Sequence, residues 1–224
     1  MEAPYRNLWV FLLLLPLAIV SGFWIPYLSE FPRFDSSITA AVHIHALLLF
    51  SWVALLIVQP LAIQRGAFRL HRLMGRASYL LVPLIALFAA MMIRKEYLEH
   101  LAGGMSATAA KKAEYLSSVQ LLFLMCFYSL AIAAIRARDV ASHMRYIVCI
   151  ALVLFPAGLA RVLGYWFDVR QARAQTVCLI LIDLSLVALI IADRRHRLKA
   201  GPYVAVLLAY LVAEAAWLAL GRPV

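Results

Sequence analysis

The sequence predicts an all-α integral membrane protein, a bundle of about seven transmembrane helices. Three observations predict it. The chain of 224 residues is 66% hydrophobic and only 14% charged, with a mean hydropathy of +0.90. A soluble domain of that size lacks the interior to hide so much apolar surface. The apolar residues fall into runs of roughly 20, the length that crosses a bilayer as a helix. The basic residues, which bring the net charge to +10, sit in short clusters between those runs. That is the pattern of the positive-inside rule and not of a nucleic-acid surface.

In chain order the spans are expected at 7–28, 40–62, 74–93, 117–136, 146–167, 176–193 and 202–220, a single transmembrane domain over residues 1–224. The separators are SEFPRFDSS, QRGAFRLHRLMGR, the stretch 94–118, RARDVASHMR, FDVRQARAQ and RRHRLKAGP. The first run is too long for a signal peptide and lacks a small-x-small cleavage site, so it reads as a retained helix. The stretch 94–118 is the one long connection, and loops of that length carry function or disorder. Within it RKEYLEHL predicts a short interfacial helix, ended by Gly103 and Gly104. Cys126, Cys149 and Cys178 lie inside apolar runs without a CxxC pattern and read as small core residues. Dinucleotide, P-loop and G-x-S-x-G signatures are absent, as are a filter-like element and a transporter-type internal repeat.

Charge sets the orientation. One side holds Arg6, Arg65, Arg69, Arg72, Arg76, Arg136, Arg138, Arg145, Arg194, Arg195, Arg197 and Lys199. On the other side the fewer cations are offset by Glu30, Asp35, Glu96, Glu99 and Glu114. The N-terminus is therefore expected in the cytoplasm and the C-terminus outside. Trp24, Tyr27, Tyr165, Trp166 and Trp217 would form an outer aromatic belt.

Ionisable groups at membrane depth mark functional sites by default. His43 and His45 lie in the first turns of the second span; two positions on a helix turn the direction by about 200°, so the two cannot face one centre. His45, Trp52 and Gln59 share a face at seven-residue spacing, and that face is expected to look into the bundle. Arg161 falls near the outer end of the fifth span, where the alternative is snorkelling to headgroups. Asp183 enters with the sixth span. On the seventh, Tyr203, Tyr210, Glu214 and Trp217 make one stripe, for which the alternative is a plain helix–helix hydrogen-bond network.

One of the two histidines, with Arg161, Asp183 and Glu214, is thus expected at outer-half depth from four different spans. Histidine plus two carboxylates suits zinc or non-haem iron with positions open for water. The expected metal ligands are His43, His45, Asp183 and Glu214, with Asp183 or Glu214 doubling as catalytic base. Arg161, Trp52 and Tyr210 are the expected ligand-binding side chains. A second constellation lies on the inner side, where His71 opens the third span and His143 the fifth. That pair fits the two axial imidazoles of a haem b, with arginines on its propionates, or else contacts lipid phosphates and helix-end carbonyls.

The runs HIHALLLFSWVALLIVQP, LHRLMGRASYLLVP, HMRY and FPAGLAR resemble a group of uncharacterised bacterial multi-helix membrane proteins, over roughly residues 40–165. The resemblance implies a small helical bundle in a bacterial inner membrane and brings no activity with it. More distantly, the histidines opening spans three and five are similar to those of the di-haem b-type cytochromes. The fourth span holds no histidine, so the second histidine pair of that family is missing.

Three functions emerge as expectations. The first is a metal-dependent hydrolase or oxidoreductase acting on a lipid-like or small periplasmic substrate. The second is electron transfer through a haem on His71 and His143. The third is a receptor or transporter binding an anion through Arg161, or protons through Asp183 and Glu214. Expected partners are membrane lipids and the small-molecule substrate, with no nucleic acid and homo-oligomerisation left open.

Overall fold

The computed structural model describes residues 5–34 and 38–220. Among them every regular element is helical: α1 (Leu8–Leu12), α2 (Leu14–Trp24), a 3₁₀ turn at Leu28–Glu30, α3 (Ala40–Gln64), α4 (Phe68–Ala102), α5 (Ala107–Ala113), α6 (Tyr115–Arg136), α7 (Val140–Phe167), α8 (Gln171–Arg195) and α9 (Gly201–Ala219). Six of these, α3, α4 and α6–α9, are long and apolar enough to cross a membrane.

The expected first span, 7–28, is instead the broken pair α1–α2, ending at Trp24. Pro16 brings no N–H to the carbonyl of Leu12, and the helix is interrupted there, at Leu13. In the stretch 94–118 the expected RKEYLEHL helix forms, but as a continuation of α4 and not as a separate interfacial helix. α4 continues as one helix of 35 residues to Ala102, about 52 Å at 1.5 Å per residue, against a hydrocarbon core of about 30 Å. The apolar run ends near Ile93, but residues 94–102 still favour helix, with an i,i+4 pair of Lys95 and Glu99 at 3.2 Å. Loss of hydrophobicity ends a span; it does not end a helix. Gly104, at φ +86°, takes the left-handed conformation that does end it. Ser106 then caps α5 by accepting from the amide of Ala109.

Only 17–39% of each span's apolar window is buried inside the bundle. Leu47, Leu80, Leu122, Leu184 and Val212 all point outward, an arrangement that suits lipid as the surrounding solvent. The share is largest for α7, which packs on α2, α3, α6, α8 and α9 and is the central helix. Its contact with α2 is backbone to backbone: a Cβ on Gly158 would come within 2.6 Å of the Ala18 carbonyl group and 2.7 Å of the Ile19 amide. Ala18-x-x-x-Gly22 against Gly158 is thus a small-residue helix contact of the kind membrane helices use. Trp166 fastens the same pair, donating its indole N–H to the Ser21 carbonyl at 3.0 Å.

The basic end is tied together by ionic contacts. Arg145 and Asp193, both fully buried, pair at 2.6 Å, and Tyr5 donates to the other Asp193 oxygen at 2.7 Å. Arg145 also reaches the Ala141 carbonyl. Asp139 caps α7 through the Ser142 amide and pairs with Lys199. The lysine first, then the amide, hold its carboxyl well below the usual carboxylate range. Arg145, expected among the loop cations, is therefore a buried structural residue. At the opposite end Trp24, Tyr165 and Trp166 are exposed as a belt requires, whereas Trp217 is buried and faces the bundle.

Candidate functional site

Near the end of the bundle opposite the basic cluster, α2, α3, α4, α6, α7 and the start of α8 enclose a cavity of about 480 Å³. That volume lies within the range of small-molecule sites. Its walls are mostly aliphatic: Leu49, Ile85, Met92, Leu121, Leu124, Val153 and Leu154 line it. The polar lining comes from His45, Glu96, Ser117, Gln120, Arg161, Gln171 and Gln175.

The elements place these groups for simple periodic reasons. On α4, Ile85, Ala89, Met92 and Glu96 follow one another at helical spacing along one face, and on α6 Ser117, Gln120, Leu121 and Leu124 do the same. On α7 the lining includes Pro156, Ala157, Ala160, Arg161 and Gly164. The small residues of that stretch leave room, and Arg161 projects where they retreat.

Arg161 is the group with the most chemistry. One terminal nitrogen donates to its own helix at the Ala157 carbonyl, 2.8 Å away. Its guanidinium carbon stands 4.4 Å from the centroid of the Phe23 ring, a cation–π contact that holds the plane in place. A guanidinium has five N–H donors, so most remain for something else. No ion pair to it occurs among the described residues. Glu96, exposed on the overhang of α4, lines the same cavity but does not close to a salt bridge. His45 lies within electrostatic reach of Arg161 and has a buried Nδ1 with no hydrogen-bond partner among the described residues.

Beside the cavity, the overhang of α4 meets the α5–α6 turn. His100 contacts Glu114 at 3.2 Å. Burial, then repulsion from Glu96, push the Glu114 carboxyl up, and His100 opposes them.

The structure brings some of the expected residues together and parts others. His45 and Arg161 share the cavity. His43 turns away, as the helical geometry requires, to meet the Tyr27 hydroxyl at 2.6 Å and the Phe34 ring. Asp183 and Glu214 face each other across α8 and α9 and do not line the cavity. Among the described residues no three His, Cys, Asp or Glu side chains form a group suited to a metal ion. Among the described residues the expected ligands are therefore not brought together: His43, His45 and the pair of acids occupy three places.

Trp52 faces the interior, 3% exposed, its ring edge against Tyr128. Gln59 donates to the His71 backbone carbonyl at 3.3 Å. His71 and His143 lie within electrostatic reach of one another. The Nδ1 of His143 donates to the Ala131 carbonyl at 2.9 Å, while the Nδ1 of His71 is buried without a partner among the described residues.

Phe23, Glu96, Gln120 and Gln175 line the cavity without having been read from the sequence as site residues. Glu96 was legible in principle, because the stripe Ile85–Ala89–Met92 runs on to it at the same spacing. The glutamines carried no comparable signal, since a lone amide in a membrane helix serves equally as a bond between helices. Against known proteins, the chain matches no family model, no curated protein and no solved structure.

Proposed function

We propose that this chain is a receptor or carrier for a small amphiphilic organic anion, bound head-first on Arg161 with its apolar body along the aliphatic wall. The observation that carries this reading is Arg161 itself: a cation in a cavity wall, stacked on Phe23, with no carboxylate partner among the described residues. A bidentate acceptor such as a carboxylate or phosphate matches its free donors. His45 supplies a further nitrogen at the head, and Leu49, Met92 and Leu121 supply the slot for an alkyl body.

In the same reading the α1–α2 pair completes a seventh crossing. The basic end faces the cytoplasm of a bacterial inner membrane, and the cavity opens towards the outer leaflet, with the C-terminus outside. The clustering of arginine at one end supports that orientation.

Thermal unfolding in a neutral detergent tests the reading, using decanoate, decanol and decylamine as probes. Decanoate at a hundred times its dissociation constant is expected to stabilise by about 2.7 kcal/mol, and decanol by much less. Arg161→Gln should abolish the difference between decanoate and decanol, and Arg161→Lys should keep part of it. Equal stabilisation by decanol and decanoate, or a decanoate effect that survives in Arg161→Gln, overturns the reading.

A second reading, a haem b at the basic end, is favoured by the approach of His71 to His143. A histidine whose Nδ1 is held by a carbonyl presents its other nitrogen to a ligand, which is the state of His143. An optical spectrum of protein made with ample haem decides it. A Soret band lost in both His71→Ala and His143→Ala is the expected result, and a colourless protein rejects it.

A further inference from the structure

Asp183 and Glu214 form a second polar centre, outside the cavity and independent of its ligand. Asp183 stands twelve residues beyond Gln171 in the 25-residue α8, about 18 Å along its axis and so halfway. Glu214 faces it from α9, close enough to interact. Oδ1 of Asp183 and Oε1 of Glu214 are both buried and, among the described residues, have no hydrogen-bond partner beyond the other acid itself.

Tyr210 lies one turn before Glu214, on the same face of α9. It is 3% exposed, and its ring packs edge-on against Phe123 at 4.8 Å. Its hydroxyl also lacks a hydrogen-bond partner among the described residues and lies within electrostatic reach of both acids. Three oxygens that no other described group is seen to serve therefore lie near one another on α8 and α9. Tyr115 from α6 spends its hydroxyl on the Ala213 carbonyl at 3.1 Å, and Cys149 from α7 is a buried thiol near Tyr210. None of the ion pairs among the described residues involves either acid.

Ionised carboxylates only accept hydrogen bonds. Two of them facing each other in a medium of low dielectric repel strongly, and unpaired charge at membrane depth is costly. A cation between them removes both penalties, and carboxylate and phenol oxygens are hard donors suited to one. We propose that Asp183, Glu214 and Tyr210 form a cation-binding site within the membrane, whose occupant is a proton or a small monovalent metal ion. In that site the two carboxyls share the positive charge and the Tyr210 hydroxyl completes the oxygen set. The chain then carries ionic sites of opposite sign, one on Arg161 and one between α8 and α9.

Infrared spectroscopy and thermal unfolding of the purified full-length protein distinguish the two occupants, with Asp183→Asn, Glu214→Gln and Tyr210→Phe as variants. The amide substitutions keep the side-chain size and offer a donor to the carboxylate that remains, so the helix pair stays intact. If the occupant is a proton, the wild type shows the carbonyl stretch of a protonated carboxyl that shifts in D₂O. That band is lost in Asp183→Asn and in Glu214→Gln, and moves in Tyr210→Phe. If it is a metal ion, one of lithium, sodium or potassium chloride raises the unfolding temperature above the other two at equal ionic strength. That selectivity is then lost in both amide variants and weakened several-fold in Tyr210→Phe. A wild type with neither a variant-sensitive acid band nor a selective response to an alkali ion overturns the proposal.

Discussion

Asp193→Ala is expected to lower the stability of the bundle by about 3–5 kcal/mol, the range found when one partner of a buried ion pair is removed. Asp193 accepts from Arg145 at 2.6 Å and from Tyr5 at 2.7 Å, and both members of the ion pair are fully buried. The substitution takes one anionic partner from a guanidinium that is fully buried between α7 and α8. It also leaves a buried tyrosine hydroxyl without its acceptor, which adds its own desolvation penalty. Unfolding followed in a mixed micelle of rising denaturing-detergent fraction measures the loss. The paired replacement Arg145→Met with Asp193→Leu should recover most of it, since a buried pair exchanged for apolar residues of similar volume is often neutral. If Asp193→Ala costs less than about 1 kcal/mol, the pair does not hold this end of the bundle together.

Gly158→Leu is the second large effect. Even the first carbon of a side chain at Gly158 would meet the Ala18 carbonyl group at 2.6 Å and the Ile19 amide at 2.7 Å. These are backbone atoms, so no rotamer change relieves the contact and α2 must move away from α7. Overpacking of this kind costs about 1–3 kcal/mol where side chains are able to give, and here the upper end or more is expected. The Trp166 bond to Ser21 would be lost with it, and the Phe23 ring would leave Arg161. The variant should therefore expose the α1–α2 pair to protease and also weaken the response to decanoate. Gly164→Ala is the control. A Cβ there has only the Val169 carbonyl near it, at 3.9 Å, so the change should not lower stability and should raise it by up to about 1 kcal/mol through helix propensity. Protection of α1–α2 equal to the wild type in Gly158→Leu would show that the two helices do not pack as closely as the structure places them.

Much of the architecture was legible because hydropathy and charge act over whole segments. Helices α3 and α6–α9 fall where the apolar runs fall, and the breakers between them sit where Gly, Pro and charged residues interrupt the runs. The break at Leu13 inside the first apolar run and the fusion of the RKEYLEHL helix to α4 were not foreseen, for one shared reason: hydropathy reports where the bilayer is, while helix ends are set by backbone hydrogen bonding. Pro16 interrupts a fully apolar helix, and α4 persists through charged residues that still favour helix.

The candidate site was legible only in part. His45, Trp52 and Gln59 face inward because seven residues are nearly two turns. Arg161, Asp183 and Glu214 stood out because charge at membrane depth is rare. Depth alone grouped them into one centre. It is a single coordinate, however, and the direction in which each helix turns its side chain is another.

The sequence by itself determined that this chain belongs in a bilayer, which end carries the arginines, and which few charged residues need partners there. Segment hydrophobicity and rare charges are additive quantities, and one dimension holds them. Only the tertiary structure decided which partners meet. Arg145 left the loop cations for Asp193, Arg161 took a cavity shared with His45, and the two acids turned to each other and Tyr210. Those outcomes depend on helix rotation and on the close approach permitted by Gly158. Packing between segments far apart in the chain fixes both.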